Sequence, residues 1–119
     1  MRVALNLTIE RKWFDMIASG EKREEYRDCE NRQVRRAYLW AANDHYWGET
    51  KPVAIFRNGY RMDSRALAVR IVGFTLRGSN KAMHPKWGEP VNCRRAYLVV
   101  MLGEVVARGT YAEVREAVR

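Results

Sequence analysis

The feature that most constrains the fold is the most apolar run in the chain, Ala96-Tyr97-Leu98-Val99-Val100-Met101-Leu102, which ends at Gly103. A short continuous apolar run suits a strand covered on both faces, and such a strand has to lie inside a sheet. The run is therefore read as a central strand, with Glu104 to Ala107 pairing back across Gly103. Other segments supply its neighbours. Val3, Leu5 and Leu7 alternate with Ala4 and Asn6, the period of a half-buried strand. Val53-Ala54-Ile55-Phe56 is a short apolar run that leads into Arg57-Asn58-Gly59-Tyr60, where Asn-Gly tolerates positive φ and predicts a tight hairpin turn. Ala66 to Leu76 carries Leu67, Val69, Ile71 and Val72 and reads as a longer strand, bulged at Gly73.

Helical spacing marks three other segments. From Glu10 to Ser19, Trp13, Met16 and Ile17 recur at three and four and predict an inward stripe, with Thr8 as the cap and Gly20 as the left-handed stop. Val34, Ala37, Tyr38 and Ala41 predict a second helix over about residues 32–42, capped by Asn31. Thr110-Tyr111-Ala112-Glu113 has the capping-box pattern and opens a final helix through Val114 and Val118. Residues 43–52 and 78–93 read as loops, and the second is long enough to carry function. A length of 119 residues fits one α+β domain spanning residues 1–119.

Charge narrows the partners. The 22 Lys and Arg outnumber the 14 Asp and Glu, for a net charge of +8, and 17 of the cations are arginine. Residues 61–119 hold 11 basic and 5 acidic residues, against 11 and 9 in residues 1–60. Cationic surface favours polyanions through counterion release, and guanidinium groups suit bidentate phosphate and base contacts. The alternative is a basic protein of arginine-rich composition with no polyanion to bind.

Cys29 and Cys93 stand far apart without a C-x-x-C, which points to a reducing compartment. Cys29, Cys93, His45 and His84 lack zinc-finger spacing, so no metal or organic cofactor is expected. The apolar run before Glu10 is too short for a signal peptide, and no run of about 18 apolar residues occurs. The expectation is a cytoplasmic protein with no membrane partner; oligomeric state stays open, with a monomer as the default.

One segment concentrates the chemistry. Gly20, Lys22, Glu25 and Arg27 spell G-x-K-x-x-E-x-R directly after the first helix. Extended backbone puts Arg23, Glu25 and Arg27 on one face, Glu24 and Tyr26 on the other, and Lys22 on the wrong parity for the first. A glycine turn that brings Lys22 round gives a donor, an acceptor and a second donor facing one polar ligand. Glu25 can then accept from an exocyclic amine or ring N–H, Lys22 and Arg27 can donate to a carbonyl or phosphate, and Trp87 or Tyr60 can stack on a base. Arg57 and Asn58 add a cation and an amide at the predicted turn. The bland alternative pairs Glu25 with Arg27 as an exposed ion pair contributing less than about 1 kcal/mol. Trp13 and Tyr38 read as core, whereas Trp40, Tyr46 and Trp47 suit the core rim and His45 a solvated loop.

Leu5-Asn6-Leu7-Thr8, Trp13-Phe14, Ile17, Ser19-Gly20-Glu21-Lys22 and Glu25-Tyr26-Arg27 resemble the ASCH domain of the PUA-like superfamily, most of all its small phage and prophage versions. Phe56-Arg57-Asn58-Gly59-Tyr60 and Pro85-Lys86-Trp87-Gly88 are similar to segments of the same proteins, so the resemblance covers most of the chain. It implies a small, mostly antiparallel β-barrel of about five or six strands, flanked by two or three helices, with a cleft beside the signature.

The family resemblance also implies RNA or nucleotide binding, with hydrolysis of an acylated cytidine nucleoside or of RNA in some relatives; fold kinship does not choose among these. For the amidohydrolase it implies a lysine activator, which Lys22 matches, and a threonine nucleophile, where this chain has Glu25. A carboxylate there can activate water as a general base, which is a different mechanism. A metal-independent ribonuclease would draw on Lys22, Glu25, His45 or His84. The leading expectation is a binder of RNA, nucleotide or nucleoside through Lys22, Glu25, Arg27, Arg57, Asn58, Tyr60 and Trp87, with a small hydrolase or a protein-interaction module as alternatives.

Overall fold

The computed structural model describes residues 1–28, 30–43, 51–78, 86–88 and 97–119. Their order is β1 (Arg2–Thr8), α1 (Arg11–Ala18), β2 (Glu24–Asp28), α2 (Arg32–Asn43), β3 (Pro52–Arg57), β4 (Arg65–Arg77), β5 (Tyr97–Thr110) and α3 (Tyr111–Ala117). The strands form one mixed sheet in the order β1-β3-β4-β5-β2. β1 pairs with β3 in parallel, and the other three pairings are antiparallel. The parallel pair needs a crossover, and α1, β2 and α2 make up that excursion. The α+β class is as expected; barrel closure is not among the pairings of the described residues, where β1 and β2 remain edge strands.

Both faces of the middle of the sheet are covered, which explains why its strands read as continuous apolar runs instead of alternating ones. One face packs Ala54, Phe56, Leu67, Val69, Leu98, Val100 and Leu102 against Phe14 and Ile17 of α1 and Val34 and Ala37 of α2. The opposite face packs Val53, Ile55, Ala66 and Ala68 against Tyr111, Val114 and Val118 of the C-terminal segment. A smaller cluster of Tyr26, Tyr97 and Val99, with Trp87 against it, lies behind β2.

Several expectations are corrected. β1 carries a register shift between Val3 and Leu5. Val3 pairs with Val53, on the α3 side, while Leu5 pairs with Ala54, on the α1 side, so Val3 leaves the stripe expected for it and is exposed. In α1 the buried pair is Phe14 and Ile17, with Trp13 only partly buried. Thr8 does not cap α1; it ends β1, and Glu10 holds the N-cap position without a side-chain bond. The β3–β4 connection is no tight Asn-Gly turn but a loop over residues 58–64, in which Gly59 alone has positive φ. β5 is an interior strand flanked by β4 and β2, as expected, but it does not fold back at Gly103 and instead runs through it. A Cβ at Gly103 would meet Val72 Cγ1 at 2.9 Å, so this glycine serves a close strand approach and not a reversal. The expected irregularity near Gly73 is present as a register shift between Ile71 and Gly73.

Candidate functional site

The site begins where α1 ends. Gly20 has φ 83°, and the N–H groups of Ser19, Gly20 and Lys22 donate to the carbonyls of Asp15, Ile17 and Met16. The last helical carbonyls are thus satisfied by a left-handed stop, and the backbone of Lys22 is fastened against the helix end. β2 starts only at Glu24, so strand parity never applied to Lys22. Its side chain instead runs to the edge of β2, where Nζ donates to the carbonyl of Glu24 and, at 2.7 Å, to that of Trp87. The ammonium lies 4.9 Å from the Tyr26 ring centroid and 5.4 Å from that of Trp13, within cation–π range. Lys22 is buried at 2% exposure, and this burial holds its pKa below the ordinary lysine value; nearby Glu25 opposes the shift without overcoming it.

Glu25 and Arg27 occupy the face of β2 that looks into the main core. Their cross-strand partners are Val100 and Leu98, both core residues. Glu25 is 7% exposed. Its Oε1 accepts the Tyr26 N–H at 3.1 Å and sits 3.8 Å from Arg27 Nε. Its Oε2, like Arg27 Nε, is buried without a hydrogen-bond partner among the described residues. Arg27 keeps a quarter of its side chain exposed, and its Nη2 donates to the Thr8 carbonyl at 3.4 Å. That bond links β2 to β1, the two edge strands of the sheet. The exposed ion pair considered from the sequence is thus a largely buried one, for which desolvation is a major cost.

The remaining expected residues divide. Trp87 belongs to the site through its carbonyl, while its partly buried side chain packs on the Tyr26, Tyr97 and Val99 cluster. Asn58 reaches the same rim but commits its amide to structure, since Nδ2 donates to the Ile9 carbonyl at 3.0 Å, one residue beyond the Thr8 that takes Arg27. Arg57 is committed too. Its Nε and Nη2 donate to Gly59 and Arg61 carbonyls at 2.7 and 2.8 Å, and its guanidinium stacks 3.5 Å above the Tyr111 ring centroid. Tyr60, 86% exposed, stands out in the same loop. Glu25 and Arg27 are therefore together on the core face of β2, and Lys22 and Trp87 meet at its edge beside Tyr26; Arg57 ends β3, and Tyr60 lies in the following loop, which docks α3. A hollow of about 420 Å³ at the end of α1 is lined by Gly20, Lys22, Arg23, Glu104 and Arg108 among others, but not by Glu25 or Arg27.

Sequence reasoning missed the support behind β2. Glu24 takes a forked pair of bonds from Arg77 at 2.8 and 2.9 Å and a third from the Tyr26 hydroxyl at 2.6 Å. Tyr26 meets Tyr97 edge to face, with centroids 5.8 Å apart. The available signal was the alternation within the motif, which sends Glu24 and Tyr26 to the opposite face from Glu25. The metal candidates Cys29, Cys93, His45 and His84, and the rim residues Tyr46 and Trp47, lie outside the described residues. No helix among the described residues is long and apolar enough to cross a membrane. Comparison with known proteins gave no matching family model, no matching curated protein and no matching solved structure.

Proposed function

We propose that this chain is a nucleic-acid or nucleotide-binding module of the ASCH type, reading a nucleobase with Glu25 and Arg27 while Lys22 holds the Trp87 segment at the edge of the same strand. In this reading the sheet acts as a PUA-like barrel, with the Arg27 bond to Thr8 spanning its edge strands. The observation that carries the reading is that two atoms of one buried ion pair, Glu25 Oε2 and Arg27 Nε, have no hydrogen-bond partner among the described residues. A buried polar group without a partner costs about 1–3 kcal/mol, and native folds keep few of them. An acceptor beside a donor matches a base edge that carries an amine next to a ring nitrogen or carbonyl. The exposed quarter of Arg27 marks the side from which such an edge approaches.

A second reading, hydrolysis of a modified nucleoside or of RNA, draws on one observation: burial lowers the proton affinity of Lys22, as proton transfer near neutral pH requires. Against it, Nζ is committed to two carbonyls, and Glu25 stands where a hydroxyl nucleophile would be needed. Binding takes precedence. The test is Glu25→Gln, assayed with a panel of nucleosides, nucleotides and short RNAs by NMR titration. The preferred base should change more than the overall affinity; equal loss for every base would refute base reading. Turnover of acylated cytidine that vanishes in Lys22→Ala would put hydrolysis first.

A further inference from the structure

The outward face of α2 is strongly cationic and plays no part in the Glu25 site. Val34 and Ala37 turn into the core, which leaves Arg32, Arg35 and Arg36 exposed on the opposite face at helical spacing. The helix sequence, Arg-Gln-Val-Arg-Arg-Ala-Tyr-Leu-Trp-Ala-Ala-Asn, contains no carboxylate. Elsewhere the arginines are often neutralised, as in Arg11–Asp15, Arg61–Asp63, Arg70–Glu104, Arg77–Glu24 and Arg119–Glu116. Arg32, Arg35 and Arg36 have no carboxylate partner among the described residues. Beside them Arg2 of β1 stacks 4.0 Å from the Trp40 ring centroid, and a groove of about 230 Å³ runs between β1 and α2, lined by Arg2, Gln33, Arg36 and Trp40 among others.

Uncompensated like charges held on one rigid helix repel one another, and a polyanion laid along them relieves that repulsion while releasing its own counterions. Trp40 among the cations, with Arg2 stacked over its ring, distinguishes the occupant, because bases stack on guanidinium planes as they do on aromatic rings. Guanidinium groups alone fit any phosphate surface, but cations interleaved with a stacking platform fit a single strand, whose bases are free to stack. We infer that α2, with Arg2 and Trp40, is a phosphate rail for single-stranded RNA. The connection to the base-reading site is short: α2 follows β2 through a turn in which the Asn31 N–H donates to the Asp28 carbonyl at 2.9 Å. This inference rests on the nucleobase reading of Glu25 and Arg27 and extends it, making the ligand a polymer rather than a free nucleotide.

The test is the variant Arg32→Gln/Arg35→Gln/Arg36→Gln, which replaces exposed side chains by a good helix former. Affinity for a fluorescein-labelled single-stranded RNA decamer is measured by anisotropy from 50 to 200 mM salt, and affinity for a nucleoside monophosphate by NMR. Losing three phosphate contacts should flatten the log–log salt slope by about 2 units, so that the gain in affinity on dilution from 200 to 50 mM salt is about 20-fold smaller than in the wild type. Monophosphate binding should not change. An unchanged salt slope, or a wild type that binds no decamer at 50 mM salt, overturns the inference. So does α2-dependent binding to phosphatidylserine vesicles without binding to RNA. If RNA binding depends on the α2 arginines while Glu25→Gln leaves base preference untouched, the rail stands and the base-reading proposal falls.

Discussion

Replacing Lys22 by methionine keeps most of the apolar stem and removes the ammonium, and the consequences follow from its surroundings. Two hydrogen bonds are lost, to the carbonyls of Glu24 and Trp87, each worth about 1.5–3 kcal/mol when the donor is charged. Those values are already net of the exchange with water, so the loss expected at pH 7 is about 3–6 kcal/mol, a large part of the stability of a domain this size.

The pH dependence is more decisive than the magnitude, because burial and ion pairing predict opposite signs. Burial lowers the Lys22 pKa below its ordinary 10.5, whereas pairing with Glu25 alone would raise it. With the folded value depressed, the unfolded chain holds more protons between the folded value and 10.5. Stability then rises with pH across that window, by at most about 1.4 kcal/mol per pH unit for one proton. Lys22→Met lacks this term, while the other lysines and the tyrosines titrate in both proteins and largely cancel. Urea unfolding followed by tryptophan fluorescence from pH 7 to pH 10 should show the gap between wild type and variant widening with pH. A gap that narrows would mean that Glu25 outweighs burial, and a constant gap that the ammonium is solvated; either result refutes the reasoning.

Two further predictions concern the frame that positions the site. Gly20→Ala should cost about 1–2 kcal/mol, the penalty for a side chain in left-handed backbone, because no atom lies within 4 Å of the added Cβ and only the conformation is strained; urea midpoints equal to wild type would contradict this. Thr110→Ala should destabilise α3 by about 1 kcal/mol through loss of its N-cap. Hydrogen bonding from Thr110, its backbone first, holds Glu113 below its ordinary 4.5, so this contribution is complete above 4.5 and fades as pH falls through the lower folded value. Glu113→Gln should therefore flatten the acid limb of the thermal stability curve, and an unaltered limb would count against the capping box.

The motif was legible as chemistry before it was legible as geometry. Lys22, Glu25 and Arg27 stand close enough in sequence to be recognised as a donor–acceptor–donor set; Glu25 and Arg27 pair with each other, whereas Lys22 gives its ammonium to the carbonyls of Glu24 and Trp87. Their burial was not readable, because it depends on Leu98 and Val100 opposite β2 and on Trp87, 65 residues beyond Lys22. Arg57 and Asn58 looked equally available for a ligand. The carbonyls of Gly59, Arg61 and Ile9 engage them instead, and nothing in the identity of those residues announces a backbone acceptor.

Sequence alone determined the features in which a few neighbouring residues fix their own dihedrals and hydrogen bonds: the stop at Gly20, the Asn31 cap on Val34 N–H, the Thr110–Glu113 box and the strand character of the apolar runs. Tertiary structure alone decided the parallel pairing of β1 with β3, the bulge that turns Val3 away from Leu5, and the passage of β5 straight through Gly103. Each of these depends on which distant surface a strand meets. A register shift of one residue exchanges its two faces, and the choice is made by the packing of the whole sheet and not by any local preference.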